Sequence, residues 1–343
     1  MTAGINKGNK TEAINVHAHL MGMWGPEIEE KYKRFMPYLS HDPDGREVII
    51  IKGQARTAIP RPEEMYKPMS IIQEMDKNKI DIQALSIMPL FNYDIDPELG
   101  INYCRMQNEA IAKAVKGHPD RLVGLATVPL QDPKEAANEL QRAIKELSMK
   151  GVEIGNEVNG NNLDWRKLWP FYEKAQELDV FILCHPSSPP GAERMAKYGL
   201  QNLIGFPTAT SLAIASLIFG GVLEDFPKLK FCFAHGGGFI PYQLGRLDRG
   251  FRVKPECREF IKKPPSEYFK LFYFDTITHS LPALEYLIKM VGSDRVVLGS
   301  DAPFDVADPD PVAMVSQLES ISAAEKDKIL GGNAAHLLRI GTD

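Results

Sequence analysis

An α/β chain of the (β/α)8, TIM-barrel type is predicted by three observations on these 343 residues. Apolar, β-rich runs recur eight times, segments of helical spacing separate them, and residues suited to chemistry stand at the ends of several runs. Alternating strand and helix signals imply a parallel sheet, and near-continuous apolarity in most runs suits barrel strands buried on both faces. An open doubly wound sheet would place its polar residues around one crevice, and a dinucleotide-binding form would follow its first strand with a glycine-rich fingerprint; neither pattern is present. The length alone fits two ordinary domains or one large barrel, and the eight alternating units choose a single barrel domain over residues 1–343.

The first run, "AINVHAHL" (Ala13 to Leu20), carries His17 and His19. Side chains at i and i+2 of a strand share a face, so the two imidazoles are expected side by side. Residues 21–69 are too long for an ordinary strand-to-helix connection, and "HDPDGREVIIIKGQART" within them reads as a hairpin, a "DPDG" turn leading into a β-branched run. This insertion is expected to cap the barrel's C-terminal face. The next runs are "IDIQALSIM" from Ile80, "RLVGLATVPL" from Arg121 and "GVEIG" from Gly151, with the helical pattern "PKEAANELQRAIKELSMK" from Pro133 between the last two. The helical pattern "DWRKLWPFYEKAQEL" from Asp164 precedes the fifth run, "VFILCHP" from Val180. An irregular stretch, "SSPPGAERMAKYGLQNLIGFPTA", follows and is expected to close another side of the same mouth. "KFCFAHGGG" from Lys230, "LFYFDTI" from Leu271 and "VVLGSDAPF" from Val296 complete the eight.

Composition narrows the partners. Hydrophobic residues at 44%, charged residues at 25% and a formal charge of −5 with mixed signs offer no basic stripe for nucleic acid, so a small-molecule ligand is expected. No run reaches the roughly 18 uninterrupted apolar residues of a membrane span, and "MTAGINKGNKTEA" lacks the apolar core of a signal peptide, which predicts a cytoplasmic protein. Cys104, Cys184, Cys232 and Cys257 show no CxxC spacing, so they are read as reduced, with Cys184 and Cys232 as small strand residues.

The chemistry gathers where a barrel places it, at strand C-termini. The first run ends in His17 and His19, the fifth in His185, the sixth in His235 and the eighth in Asp301. Neutral imidazoles and a carboxylate suit zinc and similar divalent ions, and three histidines with one aspartate leave coordination positions open. His235 is followed by three glycines that allow a sharp turn and close approach of a ligand. Beside a metal, an imidazole there is placed to take a proton from water whose pKa the ion lowers. Asp301 is expected as ligand, proton shuttle or both, and a helix-capping role fits Asp305 or Asp308 better. Asp275 and His279, leaving the seventh run, are expected to orient the ligands. His41, His118 and His336 are read as structural or solvated, and Trp165 and Trp169 as packing residues.

These motifs resemble the amidohydrolase superfamily, in its branch of metal-dependent, oxygen-independent decarboxylases, nearest the aminocarboxymuconate-semialdehyde decarboxylase family. The resemblance rests on the HxH of the first run, the histidine closing the fifth, "FAHGGG" and "GSDAPF", and extends through "EMDKNKIDIQALS", "RMAKY", "GGVLEDFPKLKFCFAHGGG" and "GNAAHLL", from Ile14 to about Leu338. It implies a zinc ion (or another divalent metal such as Mn2+) held by His17, His19, His185 and Asp301, with His235 as the base acting on water at the ion. It implies an unsaturated or aromatic carboxylate substrate, of aminocarboxymuconate-semialdehyde or hydroxybenzoate type, with a metal-dependent hydrolase or hydratase as the alternative. It also implies a homodimer in which an arginine matching Arg246 reaches the substrate carboxylate of the other subunit, with Arg61, or else Arg56, as a second substrate-binding arginine. Two positions depart from the family pattern. Asn15 stands where aspartate is usual, and Ser187 and Gly199 stand where tryptophans are usual, which implies a wider, less aromatic pocket.

Overall fold

The computed structural model describes residues 12–22, 29–41, 44–45, 47–51, 54–56 and 66–341. Its strands in chain order are β1 (Ile14–Leu20), β2 (Tyr38–His41), β3 (Glu47–Ile51), β4 (Gln54–Arg56), β5 (Ile82–Ile87), β6 (Leu122–Ala126) and β7 (Gly151–Gly155). There follow β8 (Glu157–Val158), β9 (Asn161–Asn162), β10 (Phe181–His185), β11 (Lys230–Phe233), β12 (Tyr273–Asp275) and β13 (Val296–Val297). One eight-stranded sheet runs in the order β1-β5-β6-β7-β10-β11-β12-β13, and its pairs are parallel. Each of the eight runs read from the sequence supplies one of these strands.

The sheet closes on itself beyond the short β13. Val16 N donates to Leu298 O at 2.9 Å, Asp301 N to His17 O at 2.9 Å and His19 N to Ala302 O at 2.8 Å, so the eighth strand's continuation zips onto β1. That join sets Asp301 directly beside the two histidines. Helices fill the crossovers, including Pro97–Gly117, Pro133–Glu146, Phe206–Phe219, Ile240–Val253 and Leu281–Val291. Most begin with proline at the first or second helical position, where its missing N–H costs nothing.

Inside the barrel, Val16, Ala84, Leu125, Phe181, Leu183, Cys232 and Val297 form an apolar cluster that Ala334, Leu337 and Leu338 of the C-terminal helix Asn333–Leu338 join. A register shift between Asn15 and Ala18 marks an irregularity in β1. It lets the strand pass from the apolar Val16 to the ligand-bearing His17 in a single step, because an extra residue reverses the alternation of side chains.

The insertion carries more than the expected hairpin. β2 pairs antiparallel with β3, and β3 with β4, giving three strands; residues 42, 43 and 46 of the turn region lie outside the described residues. One further expectation needs correction. The helix Pro311–Ser316 is capped by Asp310, whose carboxylate accepts from Ala313 N, and not by Asp305 or Asp308; Pro311 fixes the helix start immediately after it. The stretch Gln201–Phe219 is helical throughout and, by length and composition, long and apolar enough to cross a membrane, although it holds no uninterrupted apolar run of about 18 residues. Its scattered polar residues hide this from an uninterrupted-run criterion, and a core helix passes the same test.

Candidate metal centre

Four side chains meet at the C-terminal mouth of the barrel. His17 and His19 come from β1, His185 is the last residue of β10, and Asp301 follows β13. One donor atom from each lies within 4.8 Å of all the others, and all four residues are buried. The second nitrogen of each imidazole is already committed. His17 Nδ1 donates to Asp275 Oδ2 at 2.7 Å, His19 Nδ1 to the Ile87 carbonyl at 2.7 Å and His185 Nδ1 to the Pro186 carbonyl at 2.8 Å. These bonds fix the tautomers and turn three Nε2 atoms toward one point, as ligating histidines require.

At that point lies Asp301 Oδ1, 3.0 Å from His19 Nε2, 3.2 Å from His17 Nε2 and 3.6 Å from His185 Nε2. Nε2 of His17 and of His185 are buried without a properly directed hydrogen bond. Three imidazole lone pairs facing a carboxylate repel one another unless a proton or a cation stands among them. The donor set, three imidazole nitrogens and one carboxylate, fits a divalent transition-metal ion.

The electrostatics point the same way. Burial would hold Asp301 protonated, yet the close approach of His17, His185, His19 and His235 keeps its carboxyl well below the usual range. Burial pushes His185 well below the ordinary imidazole value and His19 below it, so both present neutral nitrogens. His17 is the exception: burial alone would lower it, but Asp275 and Asp301 on its two sides push it up to about 10. Without an ion, a proton on His17 would supply the positive charge that the cluster needs.

His235 stands beside this group, with Nε2 3.3 Å from Asp301 Oδ2 and its Nδ1 without a partner. The two Asp301 oxygens therefore divide, Oδ1 toward the three histidines and Oδ2 toward His235. The "HGGG" turn is held by Asp275, which accepts from His235 N at 2.9 Å and Gly236 N at 2.8 Å. One carboxylate thus fixes both His17 and the His235 loop. Within that turn Gly238 has φ +63, and a Cβ there would lie 2.3 Å from the Pro207 carbonyl, so only glycine fits. Asn15 does orient its neighbours: its Oδ1 accepts from His17 N, and its Nδ2 donates to Ser300 Oγ at 2.7 Å and Gln83 Oε1 at 3.1 Å.

A cavity of about 860 Å3 opens from His235 and Asp301 to the surface. Asn202, Leu203, Phe206 and Pro207, from the irregular stretch after β10 and the helix that follows it, form one wall, as the sequence suggests. Phe239, Tyr242 and Tyr286 supply aromatic walls that sequence reasoning missed, because nothing in their local pattern separates them from helix-packing residues. His279 lines the cavity's outer part and is exposed; it makes no contact with the four donors, unlike Asp275. Among the described residues no lysine or arginine lines the cavity. Arg246 is exposed on the helix Ile240–Val253, one turn beyond Tyr242. Arg61 lies outside the described residues, and the backbone of Arg56 ends β4.

Also missed was Glu153 in β7, fully buried, with Oε1 3.7 Å from His19 Nδ1. A lone glutamate inside an otherwise apolar run was the available signal.

Comparison with known proteins gives concordant results. A family model described as amidohydrolase matches residues 14–340. The chain is 35% identical over 328 residues to a 2-amino-3-carboxymuconate-6-semialdehyde decarboxylase of Dictyostelium discoideum, covering 95% of this chain and 91% of that protein. Among solved structures, 5-carboxyvanillate decarboxylase from Sphingomonas paucimobilis superposes with TM-score 0.82 at 25% identity, covering 96% of this chain and 100% of that one. A dihydroxybenzoic acid decarboxylase from Polaromonas with bound manganese and 2-nitroresorcinol superposes with TM-score 0.76 at 24% identity, covering 97% and 98%.

Proposed function

The chain belongs to the amidohydrolase family and is a metal-dependent decarboxylase within it, and from that premise we propose a reaction and a role for each residue. The substrate is an unsaturated or aromatic carboxylate of aminocarboxymuconate-semialdehyde or hydroxybenzoate type. The similarity to decarboxylases of both kinds supports this, as does a cavity walled by aromatic rings that ends at His235 and Asp301. The observation that carries the reading is the convergence of three Nε2 atoms on Asp301 Oδ1.

His17, His19, His185 and Asp301 would hold the ion, which we take to be zinc from the imidazole-rich donor set, with manganese as the alternative. When bound, a divalent ion supplies Lewis-acid polarisation and lowers the pKa of water. Loss of CO2 breaks a carbon–carbon bond and leaves its electron pair on the substrate carbon, which must then accept a proton. His235, partly exposed to the cavity, is the group that holds and delivers that proton, and Asp301 Oδ2 at 3.3 Å passes protons to and from it. Asp275 fixes the His235 backbone and so aims the imidazole.

The substrate carboxylate needs a cation that the described cavity walls do not supply. A guanidinium matches a carboxylate with its planar fork, so Arg246 of a second copy in a homodimer and Arg61 of the insertion are proposed to provide it. Three buried free cysteines accord with a cytoplasmic, reducing location.

The test is CO2 release from a panel of aromatic and unsaturated acids by protein loaded with zinc or manganese. His235→Ala is expected to lose about 10²–10⁴-fold in turnover at full metal content. Turnover unchanged in that variant removes His235 from the reaction, and a product that has gained water with no CO2 released makes the enzyme a hydratase or hydrolase.

A further inference from the structure

Glu153 has no part in the reaction above, yet its placement is unusual. It is fully buried in β7, in register with Leu183 of β10, and so stands in the barrel's inner layer just beneath the mouth. Its neighbours in that layer, Leu125, Leu183 and Cys232 among them, are apolar. Both carboxyl oxygens lack a hydrogen-bond partner. A buried carboxyl without partners costs the fold free energy, and such a group needs a reason to be there.

Glu139 shows what a structural carboxylate in this protein looks like. It is equally buried but is gripped by Arg142 at 2.8 and 2.9 Å and by Asn108 Nδ2 at 2.7 Å. Glu153 instead lies 3.7 Å from Nδ1 of His19, on the side of that ring opposite the converging Nε2 atoms, and it is not among the donors grouped within 4.8 Å. It therefore sits behind a ligand and not among the ligands. Three neutral imidazoles and one carboxylate around a divalent ion leave one net positive charge in a low-dielectric interior, where opposite charge at short range is strongly favoured; Asp275 faces it from behind His17 at 2.7 Å, and Glu153 faces it from behind His19.

We propose that Glu153 is a positioning residue of the ion site: a buried counter-charge behind the His19 ring that strengthens retention of a divalent ion without touching it. The proposal rests on the reading of the four-residue cluster as an ion site. It makes Glu153 a residue that burdens the ion-free fold and is compensated by the loaded one.

The experiment measures Zn2+ and Mn2+ affinity by chelator competition, and thermal melting of the ion-free protein, in the wild type, Glu153→Gln and Glu139→Gln. Glu153→Gln is expected to weaken ion retention by about tenfold, as outer contacts of metal ligands do. Its ion-free protein should melt no lower than the wild type. Glu139→Gln is expected to do the reverse, melting lower while holding ions normally. Wild-type ion affinity in Glu153→Gln overturns the proposal and leaves the site reading intact, whereas a wild type that holds no ion overturns both. If Glu153→Gln does not fold, Glu153→Met is measured in its place; failure of both makes Glu153 a structural residue and overturns the proposal.

Discussion

The mouth and the floor of the barrel are built on the same strands and do opposite work. β10 contributes Phe181 and Leu183 to the inner apolar cluster and, one further inward step along, His185 to the ligand set. β1 contributes Ile14 and Val16 below and His17 and His19 above, and the eighth strand contributes Val297 below and Asp301 above. The floor is stabilised by removing apolar surface from water, at about 25 cal/mol per Å2, and Glu153 is its unpaired polar group. At the mouth, three imidazoles and two buried carboxylates are crowded together, an arrangement that is costly until a cation arrives. The difference teaches that function here is a layer, one residue deep, laid on a scaffold that would fold without it.

Substitutions at the mouth should damage chemistry and spare the fold. Asp301→Asn carries the largest expected effect, because it removes the one anionic ligand and the partner of His235 together. Ion retention should fall by more than the roughly 10–100-fold typical of outer contacts, and CO2 release should drop to background, while the ion-free protein still melts cooperatively. Melting that collapses in this variant would erase the distinction between the two layers.

A second way to sharpen the comparison is pH. His17, pushed up to about 10 by Asp275 and Asp301 against the lowering effect of burial, must lose its proton before its Nε2 can bind an ion. One proton displaced per ion means that apparent ion affinity rises by about tenfold per pH unit from neutrality until pH approaches about 10. The stability of the ion-free protein should move the other way. A pKa raised on folding contributes stability that is fully present below the unfolded imidazole value near 6.5 and is lost as pH climbs through about 10. Chelator competition and ion-free melting across that window check both signs; parallel trends would show that the His17 proton is not what the ion replaces.

Asp275→Asn is expected to have a smaller effect, about 10–100-fold in ion affinity, since it weakens the bond to His17 Nδ1 without removing a ligand. It should also lower turnover at saturating metal, because the same carboxylate holds the His235 and Gly236 amides. A loss confined to ion affinity would mean that the loop is held by its glycine geometry alone.

How far this was legible beforehand differs between the layers. The ligands could be read because strand period and strand ends fix where side chains point, and His17, His19, His185 and Asp301 all obey that rule. Asp275 stood out as a polar residue leaving a strand, but its grip on two elements is a property of the closed barrel. His279, four residues further on, gave the same signal and lines the cavity instead, because the backbone turns at His279, where φ is +51. Glu153 escaped because a single glutamate in a five-residue apolar run does not say which way its carboxyl faces; only the pairing register with β10 shows that. The capping aspartate slipped from Asp305 or Asp308 to Asp310 because three aspartates precede the same helix, and only the position of Pro311 chooses among them.

The floor supplies the least expected effect on chemistry. Leu183 is fully buried in the inner cluster, two residues before His185. Leu183→Ala should cost about 2–5 kcal/mol of stability through lost burial and the cavity left behind. Turnover per folded, metal-loaded molecule should be unchanged, because His185 is held from above by its own bond to the Pro186 carbonyl and not by the leucine beneath it. Denaturant melting gives the first quantity, and CO2 release normalised to bound metal gives the second. A variant that kept its stability but lost turnover would mean that the apolar layer positions the imidazoles directly, and the two layers would then be one device.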